Sequence, residues 1–128
     1  MVEGDFQVQS GYAGAEQLLK LNSIPSAIFA CNDLMAIGAY RYAHEKQLRI
    51  PQDISIIGFD DIRLAEFANP PLTTIRQSKA KMGAQAAELL LGRIANGNQS
   101  FRQEIIPVQL VERASTAQKQ PIVEAGAQ

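Results

Sequence analysis

Two short polar pairs hold most of the chemistry this sequence can offer. Asn32-Asp33 follows the apolar run Ala27-Ile28-Phe29-Ala30-Cys31, and Asp60-Asp61 follows Ile54-Ser55-Ile56-Ile57-Gly58-Phe59. An Asn side chain carries both a donor and an acceptor, whereas an ionised Asp only accepts. Together they suit a neutral ligand with hydroxyl or ring N–H groups. Each pair also has a purely local reading, because Asn and Asp are good helix N-caps. A third reading gathers Asp33, Asp60 and Asp61 around a hard cation such as Mg²⁺.

The rest of the composition narrows the chemistry. One cysteine, Cys31, and one histidine, His44, leave no disulfide framework, thiolate zinc cluster or multi-histidine metal site within one chain. His44 has no serine motif beside it, and Gly11-x-x-Gly14 is neither a phosphate loop nor a dinucleotide fingerprint. The sequence therefore predicts a binder and not an enzyme, with no catalytic residue, metal or cofactor.

The elements that position these pairs follow from periodicity. Tyr12, Ala15, Leu18 and Leu19 fall on one face, which predicts a helix over 10–21 with Ser10 as its N-cap. The run 27–31 reads as a strand buried on both faces, with Cys31 a small core residue at its end. A helix follows over 34–46, then a strand over 54–59, a short helix over 62–68 and a strand over 72–76. A long helix over 79–95 carries an apolar stripe at Met82, Ala86, Leu89, Leu90 and Ile94 and stops at Asn96-Gly97-Asn98. A last strand over 104–111 contains Pro107, which places it at an edge or a bulge. Residues 117–128 read as a flexible polar tail.

This alternation predicts an α/β fold with a largely parallel sheet flanked by helices. Strand–helix–strand units are right-handed, so strands 27–31 and 54–59 point the same way. Asn32 and Asp60 then lie at the same edge of the sheet, where open α/β folds bind ligands. The helix from Leu34 is apolar all round, so it needs a second partner beyond the sheet, either another part of the chain or another subunit.

The 128 residues are 46% hydrophobic and 20% charged, enough for a real core. Twelve basic against thirteen acidic residues give a net charge of -1, without the basic excess of a chain that grips nucleic acid through its own surface. No apolar run approaches the roughly 20 residues of a membrane span, and the first residues carry no export-signal pattern. The expected location is the cytoplasm.

Four segments carry a family resemblance. They are Asn32-Asp33-Leu34-Met35-Ala36-Ile37-Gly38-Ala39, Pro51 to Asp61, Pro70-Pro71-Leu72-Thr73-Thr74-Ile75-Arg76-Gln77 and Leu110-Val111-Glu112-Arg113-Ala114-Ser115-Thr116. Their order and spacing closely resemble the lactose/galactose-repressor family. That resemblance implies the C-terminal part, over 1–116, of a periplasmic-binding-protein-like (type I) effector domain, mainly its C-terminal subdomain. It implies a sugar or nucleoside effector held by Phe6, whose ring would stack on the ligand, by Asn32 and Asp60, and by Gln77 at a subdomain crossover. It implies a homodimer formed through helix 34–46, with operator DNA bound only by an N-terminal helix-turn-helix domain that these residues lack. It further implies that helix 79–95 packs with the missing N-terminal subdomain. The rival expectation is a fragment of a periplasmic sugar-binding transport protein.

Overall fold

The computed structural model describes residues 1–97 and 102–118. The elements are α1 (Val8–Leu19), β1 (Ala27–Phe29), α2 (Asp33–Glu45), β2 (Ser55–Phe59), α3 (Arg63–Phe67), β3 (Thr73–Arg76), α4 (Lys79–Asn96) and β4 (Gln109–Val111). The strands form one sheet in the order β1-β2-β3-β4. The first three are parallel, with Ile28 opposite Ile56 and Ile57 opposite Thr73, and β4 runs antiparallel to β3.

The core lies under one face of this sheet. Ile28 and Ile56 point into it, where they meet Ile54, Ala36, Ala39, Ala43 and Leu72. Alternation puts Phe29, Ile57 and Phe59 on the other face, exposed or half-buried. The run of apolar residues in β1 predicts burial on both faces; among the described residues β1 has one strand neighbour and one covered face, and Phe29 is 58% exposed. Cys31, just past its end, is likewise exposed and not a core residue.

Helix α2 finds its second partner within the chain. Helix α1 lies so close to it that a Cβ on Gly38 would stand 1.9 Å from the Val8 carbonyl oxygen. A Cβ on Gly11 would stand 2.0 Å from that of Met35. Only hydrogen side chains at the crossing permit this approach. The Tyr12 and Tyr42 rings meet edge-on across the same contact, 5.2 Å apart.

Several boundaries move for identifiable reasons. Helix α1 starts at Val8, two residues early, with Gln7 as its N-cap. Ser10 is not the cap; its hydroxyl donates to the Gln7 carbonyl at 3.0 Å and accepts from the Asp5 amide at 3.1 Å. The last strand shrinks to Gln109–Val111 and takes the edge that Pro107 anticipates, since proline cannot donate to a ladder. Helix α4 exposes Met82, Leu90, Leu91 and Ile94. Asn98 of the expected helix stop and residues 119–128 of the expected tail lie outside the described residues.

Ser115 completes the sheet where β2 and β3 do not yet pair. Its hydroxyl donates to the Ile56 carbonyl at 2.5 Å and accepts from the Thr73 amide at 2.8 Å. Its carbonyl accepts from the Ile56 amide at 2.9 Å. The residue is fully buried.

Candidate functional site

Three parallel strands end along one edge of the sheet, and a polar residue follows each. Asn32 follows β1, Asp60 follows β2 and Gln77 follows β3. The pairing continues just past the strands: the Ala30 amide donates to the Ile57 carbonyl at 2.9 Å, and the Asp60 amide to the Ile75 carbonyl at 2.8 Å. These bonds fix the backbone from which the site side chains project.

Asn32 caps α2, its Oδ1 accepting from the Met35 amide at 2.8 Å. The local reading of this residue therefore holds. The same side chain also reaches across the edge, and Nδ2 donates to the Phe6 carbonyl at 2.9 Å. Phe6 sits in the left-handed region with φ 64°, and its side chain is exposed. The Asp5 carboxylate accepts from the Gln7 amide at 3.0 Å and steadies the turn on the other side of Phe6.

Asp60 has φ 109°, a backbone conformation that a side chain disfavours. Its carboxylate accepts from the Gln77 side-chain amide. The structure thus joins the expected ligand residues in two hydrogen-bonded pairs, Phe6 with Asn32 and Asp60 with Gln77, at the ends of neighbouring strands.

The other acidic residues are engaged elsewhere. Asp33 is fully buried and accepts from the Thr74 hydroxyl at 2.6 Å and the Ile62 amide at 2.8 Å. A Cβ on Gly58 would stand 2.2 Å from its Oδ1, so glycine is required there. Burial pushes the Asp33 carboxyl above its ordinary range; the two donors oppose this, and the nearby charges of Asp60 and Asp61 add to it. Asp61 accepts from Arg76 Nε at 2.5 Å and from an Arg113 terminal nitrogen at 2.7 Å. Burial alone would raise its carboxyl, but the two arginines outweigh that and hold it below its ordinary value. Among the described residues no cluster of His, Cys, Asp and Glu is arranged to hold a metal ion. The reading of a cation between Asp33, Asp60 and Asp61 thus meets three carboxylates that already have separate partners.

His44 stands far from this edge. It lies twelve positions beyond Asn32, about 18 Å along a helix rising 1.5 Å per residue. The one imidazole therefore cannot act on a ligand held between Phe6 and Asp60. What the edge offers is an aromatic face, a carboxylate and two amides, a set that recognises hydroxyls and ring edges.

Sequence reasoning missed Asp33, Thr74 and Arg113 as the framework under the site. The available signal was a polar residue at a position that periodicity assigns to the core, as with Thr74 in the middle of β3.

An open α/β sheet that gathers polar groups at the carboxyl ends of parallel strands is the frame of a small-molecule binding domain. The chain belongs to the periplasmic binding protein-like domain family, whose description matches residues 2–116, and within it to the effector-domain type found in LacI-family regulators. It is 45% identical over 115 residues to the ribose operon repressor of Haemophilus influenzae, covering 90% of this chain and 35% of that protein. It is 44% identical over 117 residues to the transcriptional repressor PurR of Salmonella arizonae, covering 91% of this chain and 34% of that protein. A LacI family transcriptional regulator from Enterococcus faecium with bound ribose superposes with a TM-score of 0.80 at 38% identity, covering 93% of this chain and 44% of that one. The chain spans about a third of the length of the curated relatives it matches.

Proposed function

We propose that this chain is the effector-sensing and dimerisation portion of a sugar-responsive, DNA-binding transcriptional repressor, acting in the cytoplasm by binding and not by catalysis. The observation that carries this reading is the delivery of Asn32, Asp60 and Gln77 to one edge by three adjacent parallel strands, with the Phe6 backbone bonded to Asn32 and its side chain exposed. Phe6 stacks on the ligand, while Asn32, Asp60 and Gln77 form the polar side of the crevice. Ribose-bound regulators among the structural relatives favour a pentose or a nucleoside as effector.

Operator contact belongs to a DNA-binding domain outside these residues, as supported by a Lac repressor dimer bound to operator that superposes with a TM-score of 0.80 at 37% identity. Effector binding would then shift the geometry between the subdomains and change operator affinity, a coupling between two sites. The exposed apolar side of α4 would be covered by the N-terminal subdomain. Self-association uses the apolar surface that α1 leaves uncovered: Ile37 on α2 with Leu64 and Phe67 on α3, the last 68% exposed.

Calorimetric titration of D-ribose and adenosine into the protein spanning both subdomains tests the effector assignment. Asp60→Ala is expected to abolish or strongly weaken the binding. Affinity unchanged by that substitution would remove Asp60 from the site.

A further inference from the structure

We infer that Asp61 is a positioning residue for the effector site: held between Arg76 and Arg113, it fixes the turn from which Asp60 reaches the crevice. The inference rests on the effector reading above and adds to it a residue that acts through Asp60.

Asp60 and Asp61 both have positive φ, 109° and 48°. Neither is glycine, and two such residues in succession persist only where their surroundings over-determine them. The backbone here is held at each amide in turn. Asp60 donates to the Ile75 carbonyl at 2.8 Å, Asp61 to the Thr74 hydroxyl at 3.4 Å and Ile62 to the Asp33 carboxylate at 2.8 Å. The longest and weakest of the three bonds is the one on Asp61.

The Asp61 side chain supplies what its amide lacks. One carboxylate oxygen accepts from Arg76 Nε at 2.5 Å and the other from an Arg113 terminal nitrogen at 2.7 Å. With both oxygens engaged and only 8% of the side chain exposed, Asp61 is turned into the protein. Arg113 is itself anchored to β3, its side chain donating to the Leu72 carbonyl at 2.8 Å and its amide to the Thr73 hydroxyl at 2.9 Å. The ion pair therefore carries the rigidity of β3 into the turn.

The two acidic residues divide the work. They pair with consecutive residues at the end of the neighbouring strand, Asp60 with Gln77 and Asp61 with Arg76. Asp60 and Gln77 are the pair offered to the effector, and Asp61 and Arg76 lock the same two backbones one residue away. A carboxylate preset at the crevice loses less freedom on meeting a ligand than one on a loose turn. That is the contribution assigned to Asp61.

Two variants loosen the clamp from opposite sides. Asp61→Asn keeps the size of the side chain and its tolerance of positive φ, but turns one acceptor into a donor that faces an arginine. Arg113→Lys keeps the charge but lacks the fork that holds Asp61 and the Leu72 carbonyl together. The first readout needs no ligand. Backbone ¹⁵N relaxation at Asp60 and Asp61, in the protein spanning both subdomains, is expected to fall from an order parameter of about 0.85 in the wild type to below about 0.6 in both variants. Unchanged order at Asp60 in both overturns the clamp.

The second readout is calorimetric titration with D-ribose and adenosine, under conditions where circular dichroism shows each protein folded. Asp61→Asn is expected to bind about tenfold more weakly than the wild type, the scale of one lost polar contact. Ser115→Ala is the control, because it removes a buried bridge at the start of β2 and β3 and leaves the Asp60-Asp61 turn untouched. It is expected to bind as the wild type does. An equal loss in Ser115→Ala would trace the effect to stability alone and overturn the inference, as would unchanged affinity in Asp61→Asn. If the wild type binds neither probe, the effector reading fails, and the relaxation measurement still decides whether Asp61 fixes Asp60.

Discussion

The Thr74 hydroxyl donates to the Asp33 carboxylate at 2.6 Å, and both residues are fully buried. This bond joins the middle of β3 to the first turn of α2, beneath the edge where Asn32 and Asp60 emerge. Asp33 also takes the Ile62 amide, so one carboxylate ties together the starts of two helices and a strand.

Thr74→Val keeps the shape of the side chain and removes the donor. A buried acceptor left short of a partner costs roughly 1–3 kcal/mol. The effect has a direction in pH. The folded Asp33 carboxyl lies above its ordinary value of 3.8, so the stability linked to its proton is fully present below that value and is lost as pH rises through the folded one. Removing a donor to the carboxylate raises the folded value further and deepens that loss. Urea unfolding is expected to show a larger deficit for the variant at pH 7 than at pH 3.5. Equal deficits at both would contradict the assigned role of Thr74.

Arg113→Met breaks the pairing with Asp61 and the bond from Arg113 to the Leu72 carbonyl at 2.8 Å. Arg76 remains to share the Asp61 carboxylate, so the cost falls between the exposed and fully buried limits for ion pairs, about 2 kcal/mol at pH 7. Here the sign reverses. The folded Asp61 carboxyl lies below 3.8, so its stabilisation is present above that value and is lost as pH falls through the folded one. The gap between wild type and variant should narrow on acidification, as followed by denaturant midpoints, leaving the part due to the Leu72 carbonyl.

Ser115→Ala leaves the Thr73 amide and the Ile56 carbonyl without the hydroxyl that bridges them. Two buried backbone groups are affected, so the expected loss is about 2–4 kcal/mol. Hydrogen exchange should localise the change to the start of β3. Protection at Thr73 equal to that of the wild type would argue against the bridge.

Gly38→Ala forces a methyl carbon against the Val8 carbonyl and the Tyr12 amide nitrogen, backbone atoms that cannot rotate away. Helices α1 and α2 must separate, at a cost of about 2–3 kcal/mol or more. Because α1 follows Phe6 directly, the same variant should also weaken effector binding. An alanine variant as stable as wild type by thermal unfolding would show that the crossing is looser than described.

Phe67→Lys places a charge on the exposed apolar surface formed with Ile37 and Leu64. Sedimentation equilibrium of the protein spanning both subdomains is expected to shift from dimer toward monomer, with affinity for D-ribose retained. An unchanged dimer would move the interface elsewhere.

Periodicity alone sets the alternation of elements, the direction of the strands and the edge at which Asn32 and Asp60 emerge. Strand direction follows from it through the handedness of strand–helix–strand units, and both are local or nearly local properties of the chain. Asn32 and Asp60 were legible for that reason, since each directly follows an apolar strand. Tertiary structure decided which groups meet. The bond from Asn32 to Phe6 spans 26 residues, and that from Arg113 to Asp61 spans 52, distances over which no periodicity carries information. It decided that α1, docked through Gly11 and Gly38, takes one side of α2, and that β1 has one strand neighbour among the described residues, with Phe29 exposed. Whether an apolar residue is covered depends on what packs over it, and that is a property of the assembled fold and not of the residue's own run.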